Sequence, residues 1–228
     1  SFFKLSFIIS QKFCKTLFIY RLFKLARTSC LCYNKSTQFI LHPEDFMELK
    51  VLETIKSRSS IRKYTDEKLT EQEIQVLKEA ALASPTAKNL QLQRFFFITN
   101  KELLDEMNIA IAKAVNKGVL PENYHRAMYD APLTIVIGID KGSRYGLIDC
   151  GIAVQSIALA AKELGLDTVI LGMVEYALQE WLAPEAAYFR EKIGMGDELE
   201  FGIAISVGHK AADKTPHSVD FSHVIEIK

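Results

Sequence analysis

The chain has 228 residues, 49% hydrophobic and 25% charged, with eleven Gly and six Pro. That is the usage of an ordinary globular protein of one domain, or one domain plus an extension, and it excludes a large multidomain machine and a disordered, collagenous or disulfide-packed chain. The formal net charge is zero, yet residues 1–46 hold seven Lys or Arg against Glu44 and Asp45, a balance of +5 that leaves −5 for the rest.

Those 46 residues also contain eight of the fourteen Phe, three of the four Cys and no Gly. The break predicts two parts: a basic, hydrophobic extension over 1–46 and a folded domain over 47–228. Basic residues interrupt the extension every few positions, so it offers no run of 18 apolar residues and no membrane span. Its apolar centre, Leu5 to Ser10, is too short and too charged at its flanks for a signal peptide. An acid-poor, Ser-containing basic stretch resembles an organelle transit peptide or an interfacial helix. The composition break at Met47 favours a domain that starts there, with the preceding residues outside the fold.

From Met47 onward, helical and extended patterns alternate. Leu49, Leu52 and Ile55 at three-residue spacing predict a helix over Glu48 to Lys56. Thr70-Glu71-Gln72-Glu73 is a capping box opening a second helix, which Ser84-Pro85 stops. Arg94 to Thr99 reads as a buried strand, and Asn100 caps a helix to about Val115. Pro121 is expected to begin a short helix. Leu133 to Ile139 is a second strand, followed by a long helix over Ile148 to Leu164 with Gly165 at its left-handed stop. Thr168 to Leu171 and Glu200 to Val207 are further strands, separated by helices over Ala177 to Ile193 broken at Pro184. Short apolar strands outnumbered by helices predict an α+β or α/β sandwich with one helix-covered sheet.

Catalytic signatures are absent: no nucleophile elbow, no phosphate loop, no Gly-x-Gly-x-x-Gly after a strand. Cys150 stands alone in 47–228, which excludes a disulfide framework there and suits the cytoplasm. Cys30-Leu-Cys32 has the wrong spacing for zinc, and the five His are scattered, so no metal site is expected. The chemistry then belongs to a bound cofactor. Ser57-Arg58-Ser59-Ser60-Ile61-Arg62-Lys63-Tyr64 places two guanidinium forks and intervening hydroxyls where they can converge on one phosphate; the plainer alternative is a basic cluster complementing a helix end. Ser84-Pro85-Thr86-Ala87-Lys88-Asn89-Leu90-Gln91 offers amides and a hydroxyl for the edge of a heteroaromatic ring, or is simply a polar loop.

Together, in this order, the two segments resemble the nitroreductase family of FMN-dependent NAD(P)H oxidoreductases. The family's Arg-(Arg/His)-Ser-x-(Arg/Lys)-x-(Phe/Tyr) start is matched by Arg58, Ser60, Arg62 and Tyr64. Its Pro-Ser-x-x-Asn-x-Gln-Pro-Trp element is matched by Pro85, Thr86, Asn89 and Gln91. Asp130-Ala131-Pro132 before a strand and the stretch from Gly151 to Gly172 continue the likeness through the body. The resemblance implies a three-layer sandwich with a central mixed or antiparallel sheet, an intertwined homodimer, and FMN at the subunit interface. It implies that Arg58, Ser59, Ser60 and Arg62 hold the flavin from one subunit, and Pro85, Thr86, Ala87, Asn89 and Gln91 from the other. Gly172 would approach the ring, and Lys214 and His217 would add phosphate contacts. NADH or NADPH would be the co-substrate, and a nitroaromatic, quinone or similar small molecule the acceptor, in two half-reactions at one site. An FMN-binding electron relay without turnover, and a reductive dehalogenase or dehydrogenase on the same fold, are the alternatives. The chain departs from the pattern at Ser59, at Leu92-Gln93 in place of Pro-Trp, and at Lys214-Thr215-Pro216-His217, where a second basic residue is replaced by a histidine.

Overall fold

The computed structural model describes residues 49–228, so the expectations for residues 1–46 and for a start at Met47 lie outside the described residues. Six helices follow in chain order: α1 Lys50–Ser57, α2 Glu71–Leu82, α3 Lys101–Val115, α4 Gly146–Glu163, α5 Glu175–Leu178 and α6 Ala186–Ile193. The strands are β1 Gln93–Ile98, β2 Leu133–Asp140, β3 Asp167–Leu171 and β4 Leu199–Gly208.

β2 is a continuous apolar run because both of its faces are covered. It pairs antiparallel with β1, placing Phe96 opposite Val136, and with β4, placing Ile135 opposite Ile205. β3 joins the far side of β4, giving an all-antiparallel order β1-β2-β4-β3. Of the two sheet types the resemblance allows, this is the antiparallel one. Alternation along the strands then sorts the side chains into two cores. Ile135, Ile137 and Ile205 pack with Leu77 of α2 and Ile157 and Ala158 of α4, whereas Val136 and Ala204 pack with Met107 and Ile111 of α3 and Phe189 of α6. The result is the expected three layers.

Local signals set the helix ends. The Thr70 hydroxyl accepts from Glu73 N at 3.2 Å while Glu73 Oε2 accepts from Thr70 N at 2.7 Å, closing the capping box. Asn100 Oδ1 accepts from Leu103 N at 2.9 Å. Gly165 takes φ +79°, the left-handed value that ends α4.

Three expectations change. Pro121 begins turns, not a helix, because Tyr129 and Asp130 both take left-handed φ near +57° and Asn108 Oδ1 captures the Met128 N–H at 3.1 Å. The helix expected from Ala177 is a single turn starting at Glu175, and the next begins only at Ala186. The apolar stripe of α1 is present, but Leu49, Leu52 and Ile55 lie exposed instead of meeting the chain's own core. Among the described residues no helix is long and apolar enough to cross a membrane.

One contact in the α4–β4 seam is tight enough to test. A Cβ added at Gly202 would sit 2.5 Å from Cys150 Sγ and 3.0 Å from the Ile137 carbonyl, so only a residue without a side chain lets α4 approach β4. Gly202→Ala should cost about 1–3 kcal/mol in chemical denaturation, as overpacking does, and Cys150→Ala in the same chain should recover part of that loss. Burial, followed by Asp149 and Glu200, pushes the Cys150 thiol up to about 12. The unfolded chain therefore loses this proton first, and stability should fall as pH rises from about 9 toward that value, by no more than about 1.4 kcal/mol per pH unit. Urea melts of wild type and Cys150→Ala between pH 8 and 11 check it, since the variant should lose that increment of pH dependence.

Candidate functional site

The first polar segment leaves α1 at Arg58, whose N–H still donates to Thr54 O at 3.1 Å. It then runs along the open edge of the sheet. Ser60 makes a parallel bridge to Thr168 of β3, and Ile61 N donates to Thr168 O at 3.0 Å. Farther on, Ala211 N donates to Lys63 O at 2.8 Å and Thr65 N to His209 O at 2.9 Å. Buried Ile61 and Tyr64 anchor the segment from beneath, while Arg62 and Lys63 remain exposed. The Tyr64 hydroxyl donates to Ile61 O at 3.0 Å, and burial, then Asp167, holds that phenol well above its usual range.

The two arginines do not converge on one partner. A buried nitrogen of the Arg58 guanidinium, NH1, has no hydrogen-bond partner. Arg62 instead donates from Nε to the Tyr129 hydroxyl at 3.2 Å and from NH1 to Ser60 O at 3.4 Å, and it lines a groove that Arg58 does not. Ser59 is 7% exposed, and its hydroxyl donates to Lys214 O at 3.0 Å. The hydroxyl thus engages the backbone of the C-terminal segment, and it brings Lys214 to the side of Arg58 and Ser60. His217 is exposed, and no contact ties it to the group.

The second segment is a strained turn. Lys88, Asn89 and Gln91 all take φ between +51° and +56°, a conformation that costs of order 1–3 kcal/mol per residue and concentrates at functional positions. Its own polar groups hold it: Thr86 Oγ1 accepts from Gln91 N at 3.1 Å, and Asn89 Oδ1 accepts from Gln91 Nε2 at 3.3 Å. The Ala87 N–H donates to Asp149 Oδ1 at 3.0 Å. Asp149 is buried in the first turn of α4, and sequence reasoning missed it because it has no near neighbour in the chain among the motif residues. Pro85 and Asn89 are exposed. Gln93, where the family commonly has Trp, is buried with its Nε2 unpartnered.

The two segments sit at opposite ends of α4. Ala87 is tied to Asp149 near the helix start, whereas α1, which delivers Arg58, is tied by Thr54 to Glu163 at the helix end. Fourteen residues separate those anchors, about 20 Å of helix. Gly172 follows directly on β3, is exposed, and a Cβ there would meet nothing within 4 Å. Neither its backbone angle nor the chain's own packing demands glycine at that position.

Tyr129 is a further residue that the sequence did not disclose. Its ring is edge-on to His125 at 4.9 Å, and Arg126 holds the turn by pairing with both Asp105 and Asp130. Burial opposes the charge on Asp105, but hydrogen bonds from Lys101 and Arg126 outweigh it and keep the carboxyl below its usual range.

The Asp149 contact yields a direct test. Asp149→Ala removes the acceptor for Ala87 N and should cost about 1–3 kcal/mol while accelerating amide exchange at residues 87–91. Asp149→Asn keeps an oxygen there and should retain most of the protection.

The pattern of the Nitroreductase family matches residues 55–209. A putative NADH dehydrogenase/NAD(P)H nitroreductase of Methanothermobacter thermautotrophicus is 33% identical over 139 residues, 58% of this chain and 65% of that protein; a protein of the same description from Archaeoglobus fulgidus is 28% identical over 174 residues, 74% of this chain and 90% of its own. The crystal structure of a nitroreductase with bound FMN from Desulfitobacterium hafniense superposes with a TM-score of 0.71 at 30% identity, covering 80% of this chain and 100% of that one. With the family pattern spanning both polar segments and the whole sheet, the chain belongs to the nitroreductase family.

Proposed function

We propose that this protein is an FMN-dependent oxidoreductase that uses NADH or NADPH to reduce nitroaromatic, quinone or similar acceptors. The observation that carries the reading is the buried, unpartnered nitrogen of Arg58. An unsatisfied buried guanidinium donor is costly and calls for an anion, and a phosphate beside Arg58, Ser60 and the Lys214 segment supplies one. The open space at Gly172 leaves room for a flat ring to lie against backbone. Bound FMN would supply the redox chemistry, accepting a hydride from the nicotinamide and passing electrons to the acceptor in two successive half-reactions.

The chain's own residues bind and orient. Arg58 and Ser60 hold the phosphate, and Arg62, fixed by Tyr129, provides positive charge for the edge of the ring system. The Pro85–Gln91 turn, with Thr86, Ala87 and Asn89, lies some 20 Å of helix away, so it serves the flavin of a second copy. Exposed apolar side chains suit such a homodimer: Val51 and Ile55 on α1, Leu147 and Ile148 at the start of α4, and Phe221, Ile225 and Ile227 in the C-terminal segment. A thiol-only Cys150 is in keeping with a cytoplasmic location.

Purified protein should be yellow, bleach on anaerobic addition of NADH or NADPH, and scatter light as a dimer. Arg58→Ala/Arg62→Ala should remain folded by circular dichroism yet lose FMN affinity by at least about 100-fold, given two charge-assisted contacts. A colourless wild type that takes up no FMN, or a double variant that keeps its full complement, refutes the assignment.

A further inference from the structure

Arg62 is an exposed guanidinium whose hydrogen bonds go only to neutral oxygens: the Tyr129 hydroxyl, from Nε at 3.2 Å, and the Ser60 carbonyl, from NH1 at 3.4 Å. Its central carbon also lies 5.9 Å from the centre of the Tyr129 ring, within reach of a cation–π contact. No carboxylate pairs with it among the described residues, although three Asp line the same groove of ≈ 940 Å³. A cation paired with a carboxylate presents little net field to a third group, whereas one held by a phenol keeps its charge for whatever lies beside it.

The turn that carries Tyr129 also disposes of the acids. Arg126 pairs with both Asp105 and Asp130, and Lys101 adds a second bond to Asp105. Of the carboxylates in the groove, only Asp66 is left without an ion pair among the described residues. Arg126 thus withdraws the competing carboxylates while Tyr129 supplies the neutral acceptor. The backbone shows how firmly that acceptor is placed. Tyr129 and Asp130 take φ +57° and +56°, a left-handed conformation that persists only where the surroundings over-determine it. Asn108 Oδ1 captures Met128 N at 3.1 Å, Tyr129 N donates to Arg126 O at 3.0 Å, and the His125 ring packs edge-on against Tyr129 at 4.9 Å. Among the described residues Arg62 is the only hydrogen-bond partner of the Tyr129 hydroxyl, so the strained turn has one polar product, the bond to Nε.

We propose that Tyr129 is a positioning residue that sets the reduction potential of bound FMN: by holding Arg62 through a neutral oxygen, and away from Asp66, it keeps an unspent positive charge at the edge of the ring system. Reduced flavin carries more negative charge than oxidised flavin, so a cation fixed beside it favours reduction. The inference rests on the flavin reading above and adds to it control of the cofactor's potential by a residue that acts through Arg62.

Tyr129→Phe keeps the ring and removes only the hydroxyl. The potential of the flavin-loaded variant is measured by anaerobic equilibration with reference dyes, alongside its affinity for oxidised FMN and its melting temperature. Two-electron reduction should become about tenfold less favourable than in wild type, a fall of about 30 mV, as expected when a nearby charge turns to another partner. Affinity for oxidised FMN should stay within about threefold, and the melting temperature should hold. Adding Asp66→Asn should recover about half of the fall or more, because Arg62 then has no free carboxylate in the groove to turn to. Arg62→Lys, whose ammonium lacks the Nε–H and is more mobile, should show the same fall and the same recovery with Asp66→Asn, and it decides the matter if Tyr129→Phe does not fold. A reduction equilibrium within about twofold of wild type, or a fall that Asp66→Asn leaves untouched, overturns the proposal. So does a fall accompanied by lost FMN affinity and early melting, which marks Tyr129 as a packing residue. A wild type that takes up no FMN is recognised from its visible spectrum before any potential is measured, and it overturns the flavin reading and this inference together.

Discussion

The pairing of residues 60–65 with the sheet edge is the constraint on which the site depends. Three backbone hydrogen bonds, from Ile61 N to Thr168 O, from Thr65 N to His209 O and from Ala211 N to Lys63 O, stitch an irregular segment to β3 and to the residues after β4. Each is modest in net energy, about 1 kcal/mol. Their joint effect is geometric: they turn Ile61 and Tyr64 inward and Arg62 and Lys63 outward. Gly208 is part of the same arrangement, since a Cβ there would come within 2.7 Å of Pro132 and 3.0 Å of Tyr64. Glycine at the end of β4 is thus what allows Tyr64 to seat, and Tyr129 is what holds the guanidinium of Arg62.

Departures from favourable local structure collect around this frame. Non-glycine left-handed residues occur at 88, 89 and 91, at 129 and 130, and once more at 117 just past α3, and buried polar atoms without partners occur at Arg58, Gln93 and Thr168. The layered core between them is mostly apolar, and its buried Thr134 and Ser206 hydroxyls pair with each other. Specific side chains offset the local cost: Asp149 and Thr86 for the first turn, Asn108 and Arg126 for the second. Strain held in place by surrounding contacts is the usual condition of a binding loop, and here it marks the second polar segment and the groove wall.

The sheet and its helices were legible because their signals are local and redundant. β2 reads as an uninterrupted apolar run, and α2 carries a complete capping box. Gly165 announces the end of α4. The segment after Pro121 was misread because proline at a helix start is a real signal, but the left-handed pair at 129–130 and the capture of Met128 N by Asn108 depend on residues distant in sequence or on backbone angles that Tyr rarely adopts. The site divides the same way. Arg58, Ser60 and Arg62 were visible as a motif, whereas the Ser59–Lys214 contact, the Arg62–Tyr129 bond and the Asp149 anchor join residues 62 to 155 positions apart. No periodicity or spacing rule carries such information.

The placement of the two motifs at opposite ends of α4 bears on why the chain tolerates its departures from the family pattern. In the proposed dimer, a cofactor held by one end of one chain and the opposite end of another would be oriented by the long helix and the sheet beneath it, and these are built from packing, not from motif residues. Each motif then needs only to present donors of the right charge and reach. Ser59 lacks the charge of the residue it replaces, yet by fixing the Lys214 backbone it secures a neighbouring segment whose position a second arginine would leave unset. Leu92 and Gln93 lack the ring of a tryptophan, but Gln93 still begins β1 opposite Ile139, so the turn before it remains anchored at both ends. Substitutions that preserve the frame are accordingly milder than any that unseat Tyr64 or displace α4, because the frame determines where every donor points.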